Sequence, residues 1–429
     1  MKKVYALIDC DAFYCNCERL FRPDLIGKPV IVLSNNDGCA VSRSIEAKAL
    51  GIEMAAPYFK IQELCEQNAV YAFSSNFSLY TNISSRIMKT LSNFAPTIEC
   101  YSVDEAFLDI TGIPNPYLHA KIIRETIQQK IGIPVSVGVA HTKALCKVAC
   151  HFAKKNPLLA GVNVILLPEK QDFFLSSLPV QKVWGIGKKR ALKLRIMGIK
   201  TAKDFRDYKN TKLIQKILTK VGKQIQDELR GDICFPLSME VQKKKERMSS
   251  RTFESSVFSK QVLKESIATH ASEVAQELRK QKSVCMEISI FIQSNSPMEA
   301  AIQYHNSTKY CFFAATSNTL KIINACLECV EHIFMPGIEY KKSGVRIFNF
   351  QDTNEVALSL FETADSQRED NLMAVMDKVN FLEGKESLKS LACGVDNITR
   401  KMKQRLKSKR FTTRWEELRE ISCDYVATK

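Results

Sequence analysis

A short apolar run at residues 4–8, VYALI, stops abruptly at Asp9, and a second acid follows at Asp11. Such a run reads as a buried strand whose C-terminal tip delivers carboxylates to the end of a sheet. A second acidic pair, Asp104 and Glu105, stands inside YSVDEAF between two strand-like runs. Carboxylates this close to apolar strands cost free energy unless positive charge neutralises them. A divalent cation does so, and hard oxygen donors without a His or Cys cluster suit Mg²⁺. Two such ions about 3.5–4 Å apart can activate an attacking hydroxyl and stabilise the leaving oxygen of a phosphoryl transfer. A lone D-x-D is more often a turn or a helix cap. Here there are two acidic clusters on strands of one region, in a chain of 429 residues with net charge +16.

That charge points to a polyanionic partner, either nucleic acid or an anionic membrane surface. No apolar run reaches spanning length, and the N-terminus MKKVYALIDCDAFYC lacks the apolar segment of a signal peptide. The expectation is a cytoplasmic protein with no membrane partner. Fifteen cysteines are scattered without framework spacing, as expected of free thiols acting as small hydrophobes in a reducing compartment. Cys326, Cys329 and His332 drift around a helix at i, i+3 and i+6 and do not complete a tetrahedral site.

Strand-like and helix-like segments alternate up to about residue 167. Turn residues fill 34–38, and helices are expected at 42–50, 78–94 and 117–130, the last followed by the strand PVSVGVA and the helix TKALCKVACHFAKK. This reads as a mixed sheet layered with helices. Residues 168–232 read as wholly helical. The charged stretch EVQKKKER at 240–247 reads as a linker. After it come strand, helix, strand, strand, helix, strand, a second and smaller α+β domain. Its first helix, 261–280, carries Leu263, Ile267, Val274 and Leu278 on one face, and alternation places Val284, Met286, Ile288, Ile290 and Ile292 on one side of a strand. Residues 351–370 are polar apart from one apolar knot, and the basic run RKMKQRLKSKR lies in the last sixty residues.

A phosphate-handling set should accompany the acids. Arg43, Lys48, Lys147, Lys154 and Lys155 are the candidates, since basic side chains can clamp a triphosphate, although a solvated helix face is the better reading of any single lysine. The segment WGIGKKR followed by MGIKT suggests a helix-hairpin-helix. Gly185 and Gly187 let backbone N–H groups approach a phosphate, and Lys188, Lys189 and Arg190 open the next helix, an arrangement that grips DNA backbone without reading sequence.

The segments IDCDAFYCNCE, FRPDLIGKPVIVLSNNDGC, SRSIEAKALGI and YSVDEAFLDITG resemble the Y-family DNA polymerases, nearly end to end; SNNDGC and the tail after residue 370 resemble the UmuC-like branch. The resemblance implies an α+β multidomain right hand. A mixed-sheet palm would span 1–27 and 74–167, small fingers 28–73, a helical thumb 168–239, a linker 240–248, an α+β little finger 249–350 and a tail 351–429. The implied activity is error-prone, template-directed addition of dNTPs to a primer on damaged DNA, in the DNA-damage (SOS) response. Asp9, Asp104 and Glu105, with the Cys10 carbonyl, would hold two Mg²⁺ ions, and Asp11 would stand behind them. Tyr14 would be the steric gate that excludes a ribose 2′-hydroxyl. Lys154 would contact the triphosphate, Lys48 falls where relatives often carry an arginine, and Ile45 falls where many carry a triphosphate-contacting tyrosine. Implied partners are primer–template DNA, a UmuD′-like dimer and a recombinase filament. Leu358, Leu360 and Phe361, on a polar segment, resemble the anchors of a sliding-clamp motif in which Ala357 replaces the usual Gln. Two alternatives differ in what they need: a catalytically weak DNA-binding accessory protein of this fold would have lost the acids, and a two-metal nuclease needs no Tyr14. This chain keeps both features.

Overall fold

The computed structural model describes residues 2–239, 243–294, 303–353, 367–384, 386–395 and 403–418. The chain forms two compact units, Met1–Val241 with Gln404–Lys429, and Gln242–Lys403. The second unit is thus inserted between two stretches of the first.

The first unit opens with β1 (Tyr5–Cys10) and α1 (Phe13–Leu20). Then come β2 (Val30–Leu33), β3 (Ala40–Arg43), α2 (Ile45–Ala49), α3 (Tyr58–Gln67) and β4 (Tyr71–Ser74). These strands make a three-stranded sheet in the order β3-β2-β4, with a small core of its own around Ile31, Leu33 and Ala47. The helix expected at 42–50 is shorter. Residues 40–43 pair with β2, and only then does the Ser44 hydroxyl cap α2 by accepting from Ala47 N at 3.3 Å. A Ser in extended backbone marks the true start of the helix.

The chain continues through α4 (Phe77–Leu91), β5 (Ile98–Cys100), β6 (Glu105–Asp109), α5 (Pro116–Ile131), β7 (Val135–Ala140), α6 (Lys143–Lys155) and β8 (Val162–Val164). The resulting sheet has the order β5-β6-β1-β7-β8, so β1 is central and antiparallel to both neighbours. Buried on both faces, β1 and β7 are near-continuously apolar. One face packs on α1, α4 and α5 through residues such as Ile8, Tyr80 and Ile123. The other packs on α6 and on the helices α7 (Pro168–Ser177), α8 (Lys188–Ile196), α9 (Ala202–Asp207) and α10 (Thr211–Arg230).

The seating of α6 decides where its lysines go. Its N-terminus is capped by Thr142 and by the buried Glu228 of α10, whose carboxylate accepts from Ala144 N at 2.9 Å. An acid there satisfies an orphan N–H and complements the positive end of the helix dipole. Over β7, the helix comes so close that a Cβ added at Gly138 would lie 2.3 Å from Cys150 N and 2.4 Å from Cys146 O.

The second unit contains β9 (Glu246–Val257), α11 (Lys260–Lys280), β10 (Ser283–Ser294), β11 (His305–Thr316), α12 (Thr319–Ile333), β12 (Tyr340–Asp352) and α13 (Gln367–Leu382). Its sheet is antiparallel, in the order β11-β10-β12-β9, under α11 and α12. Two expectations shift here. β9 begins at Glu246, inside the stretch read as linker, because a charged segment can serve as an edge strand when its charges are paired: Glu246 meets Arg346 across the ladder and Arg247 meets Glu277. On β10 the register shifts between Cys285 and Glu287, so Cys285, not Met286, joins Ile288, Ile290 and Ile292 in the core. The extra residues lie on β11, whose partners step from Thr316 to Cys311 while β10 advances only from Cys285 to Glu287, and the strict alternation of the sheet is broken there. Cys326 and Cys329 are buried core thiols and His332 is exposed on α12.

Gly138→Ala should destabilise the first unit by about 2–3 kcal/mol, since the obstructing atoms are helix backbone and cannot rotate away. Urea unfolding followed by circular dichroism checks this, with Gly187→Ala as the mild control.

Candidate active site

The β1–β6 ladder places Asp9 directly opposite Glu105, and Cys10 N donates to Asp104 O at 2.9 Å. Two acidic clusters nearly a hundred residues apart therefore meet at one end of the central strand. Asp9, Asp104 and Glu105 are each half-buried. Burial raises the Asp9 carboxyl above the usual carboxylate range; Lys154 opposes the rise, and the Glu105 and Asp104 charges add to it.

The neutralising charge comes from α6. Lys143, Lys147 and Lys154 fall at i, i+4 and i+11, on one side of the helix. Lys147 Nζ binds both Glu105 oxygens, at 2.8 and 2.9 Å, and lies 4.8 Å from the centre of the Tyr101 ring and 5.7 Å from that of Trp184. Lys154 Nζ stands 2.5 Å from Asp9 Oδ1 and 3.4 Å from Asp11 Oδ1. Burial would lower the Lys154 ammonium, but Asp9 and Asp11 outweigh it and hold the group protonated. Asp11 also accepts from Ser136 Oγ at 3.0 Å on both oxygens. Asp104 accepts from Ser102 Oγ at 2.5 Å.

Of the other expected residues, Arg43 at the end of β3 donates through Nη1 to Ile52 O at 2.7 Å. Lys48 on α2 has its ammonium pushed down by burial and by the charges of Arg43 and Lys154. Arg43, Lys48 and Lys154 thus form one cationic group beside the acids. Lys155 is exposed, and Ile45 is 74% exposed. Tyr14 is half-buried in the first turn of α1. Gly185 has φ +77°, and Gly187 precedes α8 with no side-chain cap, so the first N–H groups of that helix carry no cap from it; Lys188, Lys189 and Arg190 are all exposed there. Leu358, Leu360 and Phe361 lie outside the described residues.

Among the described residues, no three His, Cys, Asp or Glu side chains converge closely enough to hold a metal ion as they stand. Glu105 is turned onto Lys147 and Asp9 onto Lys154. The donor set nonetheless fits a hard divalent cation: only carboxylate and carbonyl oxygens gather there, and their charge is already offset by ammonium groups. Sequence reasoning missed Ser136, Tyr101 and Trp184. Tyr101 and Trp184 open the segments YSVDEAF and WGIGKKR, but their role, like that of Ser136, shows only in the contact with Lys147 or Asp11.

Comparison with known proteins defines the class first. The chain has the fold of a Y-family DNA polymerase. It is similar to a Y-family chimera of Dbh and Dpo4, with a TM-score of 0.64 and 22% identity over 81% of this chain and 99% of the other. An insertion ternary complex of Dbh DNA polymerase gives a TM-score of 0.55 and 23% identity over 81% of this chain and 99% of that one. Residues 8–151 match the impB/mucB/samB family, residues 244–360 match that family's C-terminal domain, and residues 370–421 match a domain of unknown function, DUF4113. Protein UmuC of Salmonella typhimurium is 37% identical over 97% of this chain and 99% of its own length, and protein MucB of Escherichia coli is 34% identical over the same shares. DNA polymerase IV of Listeria monocytogenes is 33% identical over 64% of this chain and 76% of its own length. The chain belongs to the impB/mucB/samB family, the UmuC-like branch of the Y-family polymerases. It is a DNA-directed DNA polymerase of the translesion class, and such enzymes depend on a divalent metal.

Lys154→Met should destabilise the chain in chelator by about 1–2 kcal/mol, since it leaves Asp9 without its cation. The figure sits below that of a fully buried pair because the Lys154 side chain is 30% exposed. Thermal unfolding in EDTA at pH 7 measures it.

Proposed function

We propose that this chain extends primers across damaged template during the DNA-damage response, with two Mg²⁺ ions held by Asp9, Asp104, Glu105 and the Cys10 carbonyl. The observation that carries this reading is the β1–β6 register, which sets Asp9 opposite Glu105 with Asp104 beside them. When bound, such a metal pair activates the primer hydroxyl and stabilises the leaving pyrophosphate oxygen. The remaining work falls to this chain's side chains. Arg43, Lys48 and Lys154 bind the triphosphate of the incoming dNTP, whose charge competes with Asp9 for the Lys154 ammonium. Lys147 already lies against the rings of Tyr101 and Trp184 and would keep those contacts if Glu105 turned to hold a metal ion. Asp11 stays tied to Ser136 and orients Lys154. Tyr14 packs under the sugar, and its ring leaves no room for a 2′-oxygen.

The exposed N-terminus of α8, with Gly185, Gly187, Lys188, Lys189 and Arg190, binds the duplex backbone. A UmuD′-like dimer, a recombinase filament and, through Leu358, Leu360 and Phe361, a sliding clamp complete the working assembly, in the cytoplasm. Similarity to UmuC and MucB over nearly the whole chain supports these partners. No helix among the described residues is long and apolar enough to cross a membrane.

The acids are tested by primer extension opposite an abasic site. Asp104→Ala and Glu105→Ala should each lower nucleotide addition more than about a hundredfold, a loss of several kcal/mol of charge stabilisation, while circular dichroism stays unchanged. A well-folded variant that keeps parental extension would refute the metal assignment. Reversing charge at Lys188, Lys189 and Arg190 should flatten the salt dependence of primer–template binding, lowering the log–log slope by roughly 2–3 as phosphate contacts are lost. An unchanged slope assigns the DNA grip elsewhere.

A further inference from the structure

The C-terminal residues return to the first unit and lie along the end of β4. Ser74 N donates to Leu406 O at 3.1 Å, Leu406 N donates to Ser74 Oγ at 3.0 Å, and Lys407 forms a parallel bridge with Ser74. Gln404 Nε2 donates to Ser75 O at 3.2 Å, and Arg405 N donates to Asp37 Oδ2 at 3.1 Å. Asn76 Nδ2 donates to Ser408 Oγ at 3.0 Å and Lys409 O at 3.2 Å. Ser74, Ser75 and Asn76 are at most 1% exposed. Buried polar groups must find partners, and here partners come from a segment more than 300 residues away. Phe411 closes the run by stacking on Phe21, centroids 4.6 Å apart and planes 10° apart.

From this strap a chain of contacts runs to Tyr14. Ser408 Oγ donates to Glu18 Oε1 at 3.1 Å, and Tyr80 Oη donates to the same oxygen at 2.6 Å. Glu18 and Tyr80 are each 1% exposed. Burial raises the Glu18 carboxyl, and the two hydroxyls oppose the rise. The Tyr80 ring stacks on Tyr14, centroids 4.5 Å apart and planes 17° apart, and Phe77 meets Tyr14 edge-on at 6.1 Å. Glu18 lies one turn beyond Tyr14 on α1, so the helix and the stacked ring hold Tyr14 from two sides.

We propose that the strap, residues 404–411, positions the Tyr14 ring through Ser408, Glu18 and Tyr80 and thereby sharpens discrimination against ribonucleotides. This rests on the reading of Tyr14 as the steric gate. It gives a role to part of the region matched by the domain of unknown function. Ser408, Glu18 and Tyr80 are positioning residues: none touches substrate, and each acts on the sugar only through Tyr14.

The test is single-turnover insertion of a dNTP and its matching rNTP by the full chain, with the same partner proteins in every arm. Ser408→Ala removes one hydrogen bond to Glu18 and should lower the dNTP-to-rNTP ratio of kcat/KM about threefold or more, with dNTP insertion and Tm near parental. Ser408→Thr, which keeps the hydroxyl, and Glu18→Gln, which keeps an acceptor, should restore the ratio. A chain ending at residue 403 should lose at least as much discrimination as Ser408→Ala; should it fail to fold, Ser408→Ala alone decides. An unchanged ratio in Ser408→Ala, or equal losses of dNTP and rNTP insertion, overturns the proposal. Tyr14→Ala separates the two readings. Collapse of its ratio beside an intact ratio in Ser408→Ala sinks only the strap, whereas no change in Tyr14→Ala sinks the gate and the strap with it.

Discussion

Carboxylates gathered at the end of an apolar strand stay ionised only if positive charge stands close by, and much of the first unit answers that demand. β1 is apolar because it is buried on both faces between α6 on one side and α1, α4 and α5 on the other. Its last residues must leave that environment as charged groups. The helix packed over it therefore carries Lys147 and Lys154 at the spacing that reaches Glu105 and Asp9. Gly138 allows the approach, and Glu228 fixes the helix start three turns upstream of Lys154.

In this state the ammonium groups occupy the charge role that metal and triphosphate would share. Such an arrangement keeps the acids compensated, and on the proposed reading loading would be an exchange of partners instead of a creation of buried charge. The rings of Tyr101 and Trp184 hold the Lys147 ammonium by cation–π attraction alongside its pair with Glu105. Arg43 and Lys48 approach from the three-stranded sheet and α2, so the site draws its cations from α6 and from a sheet whose Val30 and Val32 share a core with β1.

The return of the chain to the first unit adds a second dependence. The last residue of β4, Ser74, at the edge of the three-stranded sheet, is paired by Leu406 and Lys407, which satisfies backbone groups an open edge would leave unpaired there. The same residues supply a hydroxyl to Glu18, itself buried beside Tyr14. One segment thus satisfies the end of an edge strand, a buried polar stretch and a carboxylate one turn from Tyr14.

Much of this was legible in the residues alone. The strand ending at Asp9, the second acidic pair, the helical run 168–232 and the strand–helix order of the second unit follow from apolar periodicity and its interruptions, which are local properties. The family resemblance added the roles expected of Tyr14 and Lys154. What local pattern could not supply was anything set by pairing between distant segments. Residues 42 and 43 read as helix until β2 took them into a ladder, and Met286 read as core until an irregular pairing of β10 with β11 put Cys285 there instead. The charged start of β9 read as linker because its partners, Arg346 and Glu277, lie elsewhere in the chain. Ser408, which meets both Glu18 and Asn76, lies hundreds of residues downstream of them, where sequence shows only a basic run. Periodicity reports which face of an element is buried; only the tertiary structure decides what covers that face, because long-range contacts leave no periodic trace in either of the segments that make them.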